Sequence, residues 1–263
     1  MPELPEVERF KKFVDRTSLH QKIAFAKIAK TKRLFDISAK NLIHILEGNE
    51  LEETHRHGKF LFIRLKRNGY LVLHFGMTGE LYYHTSDEKL PNVYVLLIHF
   101  ENGRNFLFTD SRGFGMMAWV NSIEEFIKNH HYGDDALQIK LDTFISLFRK
   151  RKVAIKTALM NQNIIAGIGN EFSDAILFQI KIHPLSVSGK LGDDQLKEMF
   201  HMMQKILKEA VSHDADRDKL NHYFLLNQRQ AGLACPRCQG KTEWQTIGGR
   251  SSYFCPSCQQ LYK

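Results

Sequence analysis

The chain has 263 residues, of which 43% are hydrophobic and 25% are charged, enough for one large or two modest domains with a buried core. The apolar content excludes a wholly disordered chain, and no membrane-spanning run or secretory signal is visible, so we expect a cytoplasmic (bacterial, nucleoid-associated) protein. The net charge of +8 favours a polyanionic partner, either nucleic acid or an anionic membrane face, although an ordinary basic protein fits that charge equally well.

The first half of the chain is predicted to combine one helix with a β-sandwich or barrel. Residues 3–17 place apolar side chains at a helical spacing and so form one apolar face. From residue 20 to 120, short segments rich in aromatic and β-branched residues alternate with turn signals, which is typical of strands joined by hairpins. The clearest strands are 59–66, 70–75, 81–84 and 93–100.

The second half is predicted to be helical. A polar, aperiodic stretch at 129–136 is interpreted as a linker, and the apolar spacing then becomes helical. The helices are expected at 143–151, 156–162, 172–180 and 193–212. The Met and Phe residues along the last of these are interpreted as core residues and not as a cofactor site.

The four cysteines all lie near the carboxyl end of the chain. Cys235 and Cys238 form one C-x2-C turn, and Cys255 and Cys258 form a second after a spacer of 16 residues. Two such turns can complete a four-thiolate zinc shell, and the segment between them is predicted to be a β-hairpin with Arg250 at its turn. Two disulfides or unrelated thiols are the alternatives, and the expected cytoplasmic location disfavours disulfides.

The amino terminus offers a possible nucleophile. Proline and acidic residues favour a helix start, which explains much of Met1–Glu8 but says less about Pro2. If Met1 is removed, Pro2 becomes a secondary amine, and an α-amino group titrates about two units below lysine. Such an amine can attack a sugar aldehyde carbon and form a Schiff base, with Glu3 moving the proton.

Six ordered motifs together resemble one enzyme family. The chain is similar to the formamidopyrimidine-DNA glycosylase and endonuclease VIII family of base-excision repair enzymes along its full length. The motifs are Met1–Glu8, His57–Lys59, Leu73–Gly79, Asp110–Gly115, Ala166–Asn170 and the cysteine ribbon with Arg250 and Cys255–Gln259.

The resemblance implies catalytic roles for four residues. Pro2 would attack C1′ of the damaged nucleotide, and Glu3 would be the general acid and base. Lys59 would lie near the sugar and phosphate and assist β-elimination. Arg250 would hold the phosphates that flank the lesion and support δ-elimination.

The resemblance also implies a DNA-binding set. Met77, Arg112 and Phe114 match side chains that fill the space left by an extruded nucleotide, with core packing as the alternative for Met77 and Phe114. Asn170 fits a backbone turn on a phosphate. Arg151 and Lys156 are predicted to add phosphate contacts, with an ordinary solvated charge as the alternative for each.

Several positions depart from the family pattern and leave base specificity open. Ala175 replaces a usual Glu, with Asp174 one place earlier, and Leu90–Asn92 replace an H-D-H stretch. The segment 213–234 lacks a glycine- and threonine-rich stretch, and the ribbon is unusual at Lys241–Trp244. Retention of Met1 would remove the Pro2 amine.

The expected fold class is a multidomain α+β protein. A helix and β-sandwich would occupy residues 1–130, a helix–two-turn–helix domain 131–230, and a zinc ribbon with one structural Zn²⁺ 231–263. The expected function is a monomeric DNA glycosylase and AP lyase acting on oxidised purines in duplex DNA. The alternatives are an oxidised-pyrimidine glycosylase, a catalytically quiet binder of abasic DNA, and a zinc-ribbon protein of transcription or RNA metabolism.

Overall fold

The computed structural model describes residues 1–29, 34–85 and 94–263, which form two units, Met1–His131 and Tyr132–Lys263. The first unit contains three helices and nine strands among these residues. They are α1 (Leu4–Thr17), β1 (Ile23–Ile28), β2 (Leu34–Phe35), α2 (Ala39–Leu46), β3 (Leu51–His57), β4 (Phe60–Leu65), β5 (Tyr70–His74), β6 (Gly79–Thr85), β7 (Leu96–Phe100), β8 (Arg104–Asp110), β9 (Met116–Val120) and α3 (Ile123–Asn129).

The first unit contains two separate sheets, so it is a sandwich and not a barrel. One sheet has the strand order β1-β7-β8-β6 and the other β2-β9-β5-β4-β3. Apolar side chains from both sheets join those of α1 and α2 in one core, where Phe10 of α1 stacks on Phe75 with ring centroids 4.1 Å apart. The predicted α+β class and sandwich are therefore confirmed. The first residue of the predicted strand 93–100 lies outside the described residues, as do Leu90–Asn92.

The second unit is helical and ends in a two-stranded hairpin. Its elements are β10 (Asp134–Asp135), α4 (Leu141–Phe148), α5 (Ile155–Met160), β11 (Ile165–Ala166), α6 (Asn170–Gln179), α7 (Asp193–Ser212), α8 (Phe224–Asn227), β12 (Glu243–Ile247) and β13 (Arg250–Phe254). Helix α6 contacts α5, α7, α8 and β13, so all residues from Phe172 to Phe178 are buried and this stretch of the helix has no solvent-exposed face.

The structure differs from the sequence expectations at short elements. Helices α2 and α3 were not anticipated, because seven or eight residues give too little periodicity. Part of the supposed linker 129–136 is a strand, since Asp134–Asp135 pairs in parallel with Ile165–Ala166. No helix in the described part of the chain is long and apolar enough to cross a membrane.

Candidate active site and nucleic-acid interface

The amino terminus of the chain leads directly into α1. Pro2 is half-buried and is followed by Glu3, which caps the helix and is buried. The Glu3 backbone N–H donates to Glu6 Oε2 at 3.0 Å, which closes the first turn. Removal of the exposed Met1 would leave the Pro2 nitrogen as an amine one residue from a buried carboxylate, a pairing suited to proton transfer.

Lys59 lies in the turn between β3 and β4. Its side chain is buried, and α1 packs against both strands of the hairpin. Arg56 Nε donates to Glu8 Oε2 at 2.6 Å, and Arg56 Nη1 donates to the carbonyl of Gly58 at 3.4 Å. This pair ties the hairpin turn to α1. Sequence reasoning missed it because the partners are 48 residues apart.

Two adjacent loops of the first unit carry Met77, Arg112 and Phe114, which are predicted to fill the space left by an extruded nucleotide. We call them the wedge side chains. Met77 lies between β5 and β6, and Arg112 and Phe114 lie between β8 and β9. Met77 is 41% exposed and Phe114 is 40% exposed, so neither is a core side chain. The Arg112 guanidinium carbon lies 5.3 Å from the centre of the Phe114 ring. The structure thus brings an apolar pair and a cation together at the surface of this unit.

The buried carboxylate of Asp110 holds the two loops in place. Asp110 Oδ1 accepts from Thr78 Oγ1 at 2.6 Å and from the Arg112 N–H at 3.3 Å, and Oδ2 accepts from the Gly115 N–H. Gly76 adopts a φ of +57°, and a Cβ there would lie 2.4 Å from the Phe114 carbonyl carbon. Sequence reasoning quoted Asp110 as a motif residue but assigned it no role.

Asn170 is the first residue of α6, where unpaired backbone N–H groups favour an anion. Its Oδ1 is buried and has no hydrogen-bond partner among the described residues. Gln162 shapes the preceding turn, since its Nε2 donates to the Ile168 carbonyl at 2.7 Å and its Oε1 accepts from the Gly167 N–H at 2.9 Å. Sequence reasoning did not identify Gln162, whose two hydrogen bonds fix the turn that leads into α6.

The structure places Arg151 and Lys156 in different surroundings. Arg151 follows α4, is partly buried, and donates from Nε to the Leu147 carbonyl at 2.6 Å. Lys156 has no exposed surface, and its Nζ lies 2.5 Å from Asp174 Oδ1. The prediction for Lys156 was wrong, because neither a solvated ammonium nor a phosphate contact fits a fully enclosed side chain. Its burial depends on a carboxylate 18 residues away.

The four cysteines meet at the base of the β12–β13 hairpin. Their Sγ atoms all lie within 4.8 Å of one another, and those of Cys235–Cys258 and of Cys238–Cys255 are 3.6 Å apart. A disulfide requires about 2.05 Å, whereas a tetrahedral four-thiolate zinc shell with bonds of about 2.3 Å spaces its sulfurs by roughly 3.8 Å. The donor set therefore fits a structural metal ion and excludes disulfides.

Hydrogen bonding and burial shift the pKa values of two of these thiols in opposite directions. A hydrogen bond from Cys258 lowers the pKa of the Cys238 thiol to about 7, which favours the thiolate that binds metals. Burial raises the pKa of Cys255.

At the other end of the hairpin, Gly248–Gly249 form the turn, and the exposed Arg250 begins β13 opposite the buried Ile247.

Comparison with known proteins identifies the family. The model of the formamidopyrimidine-DNA glycosylase N-terminal domain matches residues 1–117, and the model of its H2TH domain matches 133–221. A formamidopyrimidine-DNA glycosylase of Mycoplasma mobile is 30% identical over 99% of this chain and 100% of its own, as is one of Listeria innocua. The chain belongs to the formamidopyrimidine-DNA glycosylase family.

Members of this family with solved structures share the fold of the chain. A complex of a Lactococcus lactis FPG mutant with Fapy-dG DNA superposes with a TM-score of 0.90 at 23% identity, covering 98% of this chain and 100% of the other. A MutM complex with carbocyclic 8-oxo-G DNA gives 0.91 at 24% identity over the same shares. These two likenesses establish the fold.

Proposed function

We propose that this chain is a DNA glycosylase and AP lyase that removes oxidised purines from duplex DNA. The similar proteins are called formamidopyrimidine-DNA glycosylases, and two solved neighbours hold Fapy-dG and 8-oxo-G DNA. The observation that carries the proposal is the start of α1, where Pro2 precedes a buried Glu3 on the helix that packs against both strands of the Lys59 hairpin. A chain with a net charge of +8 also suits a polyanionic substrate.

The proposed reaction uses Pro2 as an amine after Met1 has been removed. The Pro2 nitrogen forms a bond to C1′ of the damaged nucleotide while the bond from C1′ to the base breaks, and the base leaves with that electron pair and a proton. Opening of the sugar ring then gives an iminium between Pro2 and C1′. Glu3 supplies and removes protons in these steps, and its burial keeps it next to the amine.

The proposed elimination steps break the DNA strand on both sides of the lesion. Loss of a proton from C2′ of the iminium expels the 3′ phosphate, and a second elimination expels the 5′ phosphate. Lys59 and Arg250 neutralise the negative charge of these leaving phosphates. Asn170 and Arg151 bind further phosphates of the backbone.

An extruded nucleotide leaves a gap in the duplex that must be filled. Met77 and Phe114 would occupy it, and Arg112 would contact the base that has lost its partner. The support for these roles is the exposure of both apolar side chains beside a guanidinium.

The proposed metal is one structural Zn²⁺ held by Cys235, Cys238, Cys255 and Cys258. Four thiolates close the coordination shell, so the ion would stabilise the hairpin that presents Arg250 and would leave no position for a substrate.

Borohydride trapping on duplex DNA with a single abasic site tests this function. We expect a covalent adduct that maps to Pro2 in protein whose amino terminus, checked by mass spectrometry, lacks Met1. A Met1-free protein that binds this DNA without forming an adduct would contradict the lyase and support a quiet binder. Duplexes with Fapy-dG or an oxidised pyrimidine then separate the purine from the pyrimidine alternative.

A further inference from the structure

Two buried charged side chains and a third, largely buried one meet the outer edge of the ribbon hairpin. Asp174 of α6 lies 2.5 Å from Lys156 Nζ through Oδ1 and 2.9 Å from Arg229 Nη2 through Oδ2. Lys156 and Asp174 have no exposed surface, and the Arg229 side chain is 16% exposed. We call Lys156, Asp174 and Arg229 the ion cluster. It joins α5, α6 and the segment that precedes the ribbon.

The ion cluster bonds to the backbone of β13. Asp174 Oδ2 accepts the Tyr253 N–H at 3.0 Å, and the Ser251 carbonyl accepts from Arg229 Nη2 at 3.3 Å and from Lys156 Nζ at 3.4 Å. Strand β13 has β12 on one side only, so its other edge presents unpaired backbone groups. The ion cluster supplies partners for that edge in place of a third strand.

These contacts lie close to two residues of the proposed DNA interface. Ser251 directly follows Arg250, and Asp174 lies one helical turn after Asn170. The hairpin turn is also packed against α5, since a Cβ at Gly248 would lie 3.0 Å from Thr157 Oγ1. The strand that begins with Arg250 is therefore joined to the helix that begins with Asn170.

Neutralisation of the Asp174 carboxylate alone gives little reason for Arg229. Lys156 and Asp174 already form a neutral pair, and buried ion pairs replaced by apolar residues often leave stability unchanged or raise it. Arg229 adds a further positive charge, and its Nη1 is buried with no hydrogen-bond partner among the described residues. A guanidinium that reaches both a carboxylate and a strand edge is instead suited to fixing a geometry.

We propose that Arg229 is a positioning residue, which acts through Asp174 and the Ser251 carbonyl to hold Arg250 in register with Asn170 for lesion binding. This inference rests on the proposed function. It assigns a role to the segment 213–234 and to Asp174, both of which depart from the family pattern.

A double-mutant cycle in the full chain tests the proposal. Binding to a duplex with a non-cleavable abasic analogue is measured at one salt concentration for the wild type, Arg229→Met, Arg250→Ala and the double variant. We expect Arg229→Met to weaken binding roughly tenfold, to leave the chain folded because Lys156 still pairs with Asp174, and to have almost no further effect on binding once Arg250 is alanine. Arg149→Met is the matched control, because it also removes an arginine from an ion pair with an aspartate, the surface pair with Asp193.

Three outcomes would overturn the proposal: no loss of binding in Arg229→Met, the same loss in the presence and absence of Arg250, or an equal loss in Arg149→Met. If Arg229→Met fails to fold, the cycle is repeated with Arg229→Lys, which keeps the charge but cannot reach both acceptors. Hydrogen exchange of the Tyr253 amide gives an independent measurement and should quicken in either variant. If Arg250→Ala alone leaves binding unchanged, the proposed DNA-binding role of Arg250 is wrong. If the Tyr253 amide exchanges at the wild-type rate in the Arg229 variant, the positioning role of Arg229 is wrong.

Discussion

Two cations of this protein differ in how much of the side chain is accessible to DNA. Lys156 and Arg151 lie five positions apart at the boundary of a basic stretch, yet Lys156 is enclosed with Asp174 whereas Arg151 is only partly buried. A counterion is released from DNA only by a cation that reaches a phosphate. The two residues should therefore respond differently to substitution.

Substitution of Lys156 and Arg151 separates a structural cation from a DNA-binding one. We expect Lys156→Met to lower the free energy of unfolding by about 3 kcal/mol, because it removes one partner of a buried ion pair, and to leave the salt slope of DNA binding unchanged. Arg151→Ala should change stability by less than about 0.5 kcal/mol and lower the salt slope by about one. Thermal melts and binding titrations at several salt concentrations measure both. A reduced slope in folded Lys156→Met whose Tyr253 amide exchanges as slowly as in the wild type would show that the Lys156 ammonium reaches DNA.

At the level of elements, two loops act as one unit because a buried carboxylate joins them. Asp110 accepts hydrogen bonds from the Met77 loop through Thr78 and from the loop of Arg112 and Phe114 through two backbone N–H groups. Short backbone-to-carboxylate bonds in a buried site are stronger than neutral ones and fix loop geometry. The wedge side chains themselves stay exposed.

Substitution of Asp110 should loosen both loops together. We expect Asp110→Ala to reduce the preference for abasic over intact duplex by about tenfold, since a mobile wedge no longer offers a preformed shape to the gap. Asp110→Asn keeps one acceptor oxygen and should lose less. Equilibrium titrations with both duplexes give the ratio of the two Kd values. An unchanged ratio in folded Asp110→Ala would mean that the loops hold their shape without this carboxylate.

At the level of the whole molecule, the sandwich and the ribbon differ in what stabilises them. The sandwich has a large apolar core, whereas the ribbon shares a small cluster of Phe178, Phe224, Leu225, Cys235 and Cys255. So few apolar side chains give little hydrophobic stabilisation, and metal binding can contribute on the order of 10 kcal/mol or more to the folding of such a segment.

Removal of the metal should therefore affect the ribbon first. We expect Cys258→Ser or treatment with a chelator to release one equivalent of Zn²⁺ and to abolish tight binding to abasic DNA. The sandwich should stay folded, because its core contains none of the ligands. Elemental analysis, near-ultraviolet circular dichroism and DNA titration measure these effects, and added Zn²⁺ should restore the chelated wild type. Full DNA binding by metal-free protein would contradict the structural role.

The sequence predicted the long periodic elements well and the short ones poorly. Helix α7 has the predicted bounds of 193–212, because 20 residues of regular apolar spacing indicate a helix over that whole length. Helix α2 was missed because eight residues give too little periodicity, and the pairing of β10 with β11 was missed because it joins segments that are distant in the sequence. The four clustered cysteines could be named from their spacing, because each C-x2-C pair is local.

By itself, the sequence determined the fold class, the order of the sandwich, helices and ribbon, and the family, because apolar periodicity, cysteine spacing and ordered motifs are local properties of the chain. Only the tertiary structure decided which charges are buried and what holds the loops. Lys156 is buried because it pairs with Asp174, and Arg56 joins its hairpin to α1 through Glu8. Asp110 supports the two loops that carry Met77 and Phe114. Burial and hydrogen bonding depend on which distant segments meet, and a linear pattern does not contain that information.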